Sequence, residues 1–372
     1  MKRRKFLTIT GGTILTAGGI GYLISDKNNF VRNNITNAPS NKSLLKPDER
    51  EILYLASLAP SGHNTQPWFV KYNEPYHWTI CNDKSKWLSA VDPTQRETIL
   101  SIGAFIQNLE YAAGNLGYHC EFNSSAKTNQ DENIADVKLT KSNNAAAFSI
   151  SKIKTRRTVR SNYLSDLLKK EDADYLFNQE QDFFHFMPNG AKECQYLNEQ
   201  TIEANKIQSY RDAAEKELAE WIRFSSKDAE KYNDGLTTAS MEIEGVPGWV
   251  VRNFYNKNSV MKKDFRDKNI DNVIKQVSES AGWLIITSKG NEVATLLETG
   301  KRMQRLFLKV RERNIAIHPM TQILEEQSTK ATLNQSIGIS DTIQFILRMG
   351  YLKTYPEPVS LRRPVDQIIR TM

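Results

Sequence analysis

The chain has 372 residues, 39% of them hydrophobic and 25% charged, ordinary proportions for a globular protein long enough for one large fold or two domain-sized units. Its formal net charge is +7, but Lys2, Arg3, Arg4, Lys5 and Lys27 against Asp26 account for +4 of that, and the remainder has no dense Lys/Arg tract interleaved with aromatics. Nucleic-acid binding is therefore not indicated. Three cysteines (81, 120, 194) lack metal spacing, and five histidines (63, 77, 119, 185, 318) form no H-E-x-x-H pattern, so no metal site is expected. The cysteines read as small apolar filler.

The N-terminus opens with a basic run, Lys2-Arg3-Arg4-Lys5, followed by a mildly hydrophobic stretch from Phe6 to Ile24 that contains two Gly-Gly pairs. Paired arginines before such a stretch resemble a twin-arginine export signal, which implies an exported, periplasmic or otherwise extracytoplasmic protein. No clear A-x-A cleavage site follows. The segment is thus also readable as a retained membrane anchor, being close to the ~20 apolar residues a span requires. Asp26 to Ser43, rich in Asn and Ser, reads as a tether, so residues 1–45 form leader and tether.

Lys46-Pro47-Asp48-Glu49 starts a helix that carries Ile52, Leu53, Leu55, Ala56 and Leu58 at helical spacing. Ala59-Pro60-Ser61-Gly62-His63-Asn64-Thr65-Gln66-Pro67-Trp68 then forbids further helix and crowds short polar side chains into one turn. With few charges, this turn suits a flat polar ring better than a bare phosphate. Strand-like Trp68–Tyr72 and His77–Cys81 follow as a pair. Asp92 to Glu97 starts a long helix, apolar on most faces and expected to be buried. Arg96 at its head either reaches a cofactor or pairs with Glu97 or Asp92. Asp136–Leu139 reads as an edge strand before a junction between two halves.

Arg156, Arg157 and Arg160, with Thr158 among them, form the second informative cluster. Such a cluster suits a bound dianion, although a solvated helix start has the same composition. Residues 225–263 form a long insertion containing Trp249, of the kind that covers an active site. Ala281–Thr287 reads as a core strand, residues 292–311 as an amphipathic helix, and Ile343–Tyr351 as a further strand. His318 before Pro319 is readable as a proton donor, though a structural role is favoured.

The stretch from Ala59 to Trp68 resembles the A-P-S-x-x-N-x-Q-P-W loop of the nitroreductase-like flavoproteins. The run Arg156, Arg157, Thr158, Arg160 is similar to that family's R-x-S/T-x-R/K run. The resemblance covers roughly residues 46 to 370. It implies an α+β fold and FMN as cofactor, with no dedicated protein acid or nucleophile. By the resemblance, Pro60, Ser61, Gly62, Asn64 and Gln66 contact the flavin, with Arg96 as a further candidate. Arg156, Arg157, Thr158, Arg160 and Arg362 hold its phosphate and ribityl chain, Arg363 being a weaker candidate. Pro319, Thr321 and Gln322 face its reactive edge, where the family often has Glu-Gly. In ordinary members the arginine run precedes the loop; here the order is reversed. Two tandem diverged halves, 46–150 and 151–372, forming an intramolecular pseudo-dimer would explain the reversal, and a monomer would then complete the site. Leader, tandem halves and the Arg362-Arg363-Pro364 tail look most like the Acg-type branch of the superfamily. The implied activity is hydride transfer to a nitroaromatic, quinone or similar acceptor, with NAD(P)H as candidate donor. A flavin-sequestering protein whose lid blocks turnover is the alternative.

Overall fold

The structure, a computed structural model, describes residues 25–26, 28–35, 44–143 and 149–371. The export signal expected from residues 2–24 lies outside them. No helix among the described residues is long and apolar enough to cross a membrane.

Helix α1 (Pro47–Ser57) starts as its sequence dictates: Pro47 is at its head and the Glu49 carboxylate accepts the Lys46 N–H at 2.8 Å. Its chain then turns through the polar loop into β1 (Trp68–Glu74) and β2 (His77–Asn82). Helix α2 (Arg96–Asn115) follows, then β3 (Tyr118–Ser124) and β4 (Asn133–Lys141). After two short helices, Ile150–Thr155 and Lys170–Phe177, come β5 (Phe184–Pro188) and α3 (Lys192–Tyr210). Residues 225–263 hold a two-residue strand β7 (Leu236–Thr237), paired with β6 (Ile222–Arg223), and helix α4 (Gly245–Phe254). Then come α5 (Lys263–Ser278), β8 (Gly282–Ser288), α6 (Val293–Val310) and β9 (Ile315–Pro319). Helix α7 (Gln327–Ile337), β10 (Thr342–Tyr351) and β11 (Ile369–Thr371) complete the chain.

Besides the β6–β7 pair, two larger sheets form among the described residues. The first has strand order β11-β1-β2-β4-β3 and the second β5-β8-β10-β9. β4 lies between β2 and β3, so the reading of Asp136–Leu139 as an edge is corrected: β3 is the edge. Ile134, Val137 and Leu139 point into the core, whereas the Asp136 face carries polar partners such as His77, which gave the segment its edge-like composition. The first sheet also takes β11 from the C-terminus, in parallel register Val70 with Ile369 and Tyr72 with Thr371. β8 is buried on both faces, as its unbroken apolar run requires. Leu284 and Ile286 join the large core shared with the first half, while Trp283 and Ile285 pack with Leu333 and Ile346 on the other side.

The halves meet where α2 crosses α6, and Gly103 and Gly300 make that crossing possible. A Cβ on Gly103 would stand 2.2 Å from the Leu297 carbonyl oxygen, and one on Gly300 only 2.0 Å from that of Leu100. Both sites therefore need a residue without a side chain. Asn108 and Gln304 add a buried 2.7 Å hydrogen bond across the same seam.

Residues 25–26 and 28–35 are not a free tether. The Asp26 and Asn29 side chains, the Asp26 N–H and the Asn28 carbonyl hydrogen-bond to Ser226, Thr238, Arg252 and Asn253, fastening this arm to the 225–263 segment.

Candidate functional site

The polar loop after α1 is held in an unusual backbone path. His63, Asn64 and Gln66 have φ of 45°, 55° and 54°, each disfavoured for a residue with a side chain. Side-chain hydrogen bonds fix the path. Ser61 Oγ accepts the Gln66 N–H at 3.0 Å. The Asn64 amide donates to the carbonyls of Gly235 and Leu361 at 3.0 and 3.1 Å. Its oxygen accepts from Arg362 at 2.8 Å. The Gln66 amide donates to the Asn233 carbonyl at 3.0 Å and accepts the Arg363 N–H at 2.9 Å. Asn64 and Gln66 thus clamp the 233–235 turn and the C-terminal tail to the loop, and these bonds engage both amides. Pro60, Ser61 and Gly62 remain partly exposed.

Two buried arginines from distant segments meet at the end of α1. Arg156 Nη2 and Arg362 Nη2 both donate to the Leu58 carbonyl, at 3.1 and 3.2 Å, and Arg362 also reaches the Ala59 carbonyl at 3.0 Å. The C-terminal end of a helix favours cations, but one carbonyl cannot satisfy two guanidinium groups. Nε and Nη1 of Arg156 and Nε of Arg362 find no hydrogen-bond partner among the described residues. Among the described residues no carboxylate pairs with either arginine. Burial pushes the Arg156 guanidinium down to about 10. Burial first, then the charges of Arg156 and Arg32, lowers that of Arg362.

The rest of the arginine run is engaged by the 225–263 segment. Glu242, itself at φ 60°, accepts from Arg157 Nη2 at 3.2 Å, from the Arg160 N–H at 3.1 Å and from Ser161 Oγ. Arg160 Nη1 donates to the Ser240 carbonyl at 2.6 Å. Thr158 lies half-buried between them. The Glu242 carboxylate of the 225–263 segment therefore engages donors of the run.

The loop, the run and the end of β9 converge on Arg160. Burial and then Arg160 lower the His63 imidazole to about 4. Burial, Arg348 and Arg160 together lower His318 well below its ordinary value. Both rings are neutral at physiological pH, and His318 Nδ1 has no partner. His318 is buried on β9, followed by partly exposed Pro319, Thr321 and Gln322. The Gln322 side-chain oxygen is buried without a partner. Thr321 Oγ1 lies 3.2 Å from Glu97 Oε1 and 3.0 Å from Glu325 Oε1. A hydroxyl has one proton to give, so both contacts are hydrogen bonds only if one carboxyl is protonated. Arg96 pairs with Glu97 at 2.9 Å, whereas Glu325 pairs with no cation among the described residues, so Glu325 is the neutral acid. Burial and then Glu97 raise Glu325 to about 8.

Arg96 pairs with Glu97 and also donates to the Gln344 carbonyl at 2.7 Å. It lines a separate groove with Lys330 and Asn334 and makes no hydrogen bond to the Arg156–Arg362 pair. The structure thus brings together the loop, Arg156, Arg157, Arg160, Arg362 and the β9 end. Sequence reasoning missed Glu242, Arg348 and Arg32. The fully buried Arg348 donates to the Arg160 carbonyl at 2.6 Å. None of the three lies in a recognisable pattern; the excess of arginine over nearby acid was the only signal.

No protein-family model matches the chain. Its similarity runs along most of its length to bacterial proteins provisionally named as NAD(P)H nitroreductases. One is acg of Mycobacterium tuberculosis strain H37Rv, 24% identical over 334 residues, 86% of this chain and 94% of that protein. Another is PigM of a Serratia strain, 20% identical over 87% of this chain and 93% of that protein. Among solved structures, the FMN-dependent nitroreductase NfnB from Mycobacterium smegmatis, crystallised with NADPH, aligns at TM-score 0.36 and 15% identity, covering 59% of this chain and 95% of that one. That score is too low to fix the fold.

Proposed function

We propose that the chain is an FMN-dependent oxidoreductase of the nitroreductase type, passing hydride equivalents from NAD(P)H to a nitroaromatic, a quinone or a similar acceptor. The observation that carries this reading is the meeting of Arg156 and Arg362 on the Leu58 carbonyl, beside Asn64, with buried N–H groups left unpaired. Unpaired buried guanidinium donors fit a phosphate monoester, which accepts several charge-assisted hydrogen bonds at once. Arg156 and Arg362 would hold the phosphate, with Arg157, Thr158 and Arg160 along the ribityl chain. The segment Pro60–Gly62 and the Pro319–Gln322 turn would flank the ring. When bound, FMN supplies the hydride chemistry, and the protein contributes binding, orientation and exclusion of water. The names of the relatives support NAD(P)H as donor.

The two sheets and the Gly103–Gly300 crossing support the reading of residues 46–150 and 151–372 as diverged halves of a pseudo-dimer, with β11 returned to the first half. Residues 2–24 would direct export by the twin-arginine route to an extracytoplasmic location, cleaved or retained as an anchor.

The lid supports a second reading, flavin binding without turnover. Glu242 and the Ser240 carbonyl already engage donors of the arginine run. Adding NAD(P)H to purified protein under nitrogen separates the two. Bleaching of the visible flavin absorption, followed by re-oxidation with a quinone, supports the enzyme. A flavin that stays oxidised supports sequestration.

A further inference from the structure

We propose that Arg32, carried by the N-terminal arm, is the third guanidinium of the anion site built by Arg156 and Arg362, so that arm docking and phosphate binding reinforce each other. This rests on the FMN reading above for the identity of the ligand, a phosphate monoester.

Arg32 and Arg362 line one narrow cleft, together with Ile35, Tyr54, Arg363 and Pro364. Arg362 is 3% exposed and Arg156 6%, and their unpaired Nε and Nη1 atoms are the buried polar groups at the site that call for an acceptor. The side chain of Arg32 is anchored by one hydrogen bond, from Nη2 to the Lys154 carbonyl at 2.6 Å, and makes no ion pair among the described residues. Its backbone N–H donates to the Val359 carbonyl at 3.2 Å, which seats the arm beside the tail that carries Arg362. Three guanidinium groups gathered where no carboxylate is paired with them repel one another, and a dianion in the cleft removes that cost.

The arm is fastened on its other side to the lid. Asn29 accepts from Thr238 at 2.8 Å and from Arg252 at 2.7 Å, and Asp26 accepts from Ser226 Oγ at 2.8 Å. Trp249 donates to Ser25 at 3.0 Å. The same arm therefore touches the anion cleft at Arg32 and helix α4 at Ser25, Asp26 and Asn29. An anion that holds Arg32 also holds the arm across the lid, and by linkage a docked arm strengthens the anion's binding.

The test uses the full chain and its Arg32→Gln variant, each titrated with FMN, with riboflavin and with inorganic phosphate. Riboflavin has the same ring without the phosphate. Loss of one charge-assisted hydrogen bond should raise the FMN dissociation constant by about tenfold or more, while riboflavin binding stays within about twofold. Phosphate binding should weaken in parallel with FMN, and Arg32→Lys should restore part of it. FMN, but not riboflavin, should slow proteolytic cleavage of the arm in the wild-type chain. Equal weakening for FMN and riboflavin would assign Arg32 a merely structural role and overturn the inference. So would an FMN affinity that does not change. If neither flavin binds the wild-type chain but phosphate does, and only with Arg32 present, the FMN reading fails while the three-arginine site stands.

Discussion

Replacing Gly300 with alanine tests the packing on which the two halves depend. The added methyl would lie 2.0 Å from the Leu100 carbonyl oxygen, 2.8 Å from its carbonyl carbon and 3.1 Å from the Gly103 Cα, where ordinary contact begins near 3.4 Å. Backbone atoms cannot rotate away, so α6 must retreat from α2 by over an ångström locally. That retreat loosens the shared core around Leu100, Leu296 and Leu297. Overpacking of this kind costs about 3 kcal/mol at the upper end of its usual range. In a helix interior alanine gains about 1 kcal/mol over glycine. The net is about 2 kcal/mol of destabilisation, or a fall in melting temperature of roughly 2–4 °C for a chain of 372 residues. Differential scanning calorimetry reads it directly. Gly103→Ala should behave alike, and the double variant should be non-additive because the two sites touch. A melting temperature that rises, as for an exposed helical glycine, would refute the close crossing.

Two further outcomes follow from the lid and the carboxyls. Glu242→Gln removes the acid from a buried pair whose side chains are 8% and 9% exposed, leaving Arg157 uncompensated. Urea unfolding should show a loss of about 3 kcal/mol, and the lid should become more susceptible to protease; an unchanged midpoint would contradict the pairing. Glu325 binds its proton more tightly folded than unfolded, at about 8 against 4.5. Between those values the folded state holds a proton that the unfolded state has released, so stability falls as pH rises from 4.5 to about 8 and is then level. Glu325→Gln should flatten that slope in melting temperature measured across the window, and a wild-type curve already flat there would count against the neutral acid.

The parts of the fold visible in the sequence were those with strong local signals. The proline-acid start of α1, the apolar run of β8 and the helical spacing of α6 each specify their own conformation. Strand order is different, because it depends on partners far away in the chain. Nothing local to Asp136–Leu139 says that β3 will cover it, and nothing in Ile369–Thr371 says that it will pair with β1. Helices α3 and α5 were also hidden, since their buried faces are thin, with Cys194, Leu197 and Ala204 on one and Val273 and Val277 on the other. At the site, the loop and the arginine run were legible as residue types in sequence. Their partners were not: the amides of Asn64 and Gln66 bind backbone carbonyls of the lid and tail, and Glu242 reaches the run from about eighty residues away. The arm's polar composition suggested a tether because Asn, Asp and Ser solvate and cap equally well.

In the proposed function, two distant segments close over one flavin and its phosphate. The most direct measurement is the visible spectrum and FMN content of the purified full-length protein, beside its Arg156→Ala variant. The expected result is a yellow protein with about one FMN per chain, and a variant that loses FMN on dilution, its affinity down by roughly tenfold to a hundredfold. A colourless protein that takes up no added FMN, or a variant that retains it as tightly as the wild type, would contradict it.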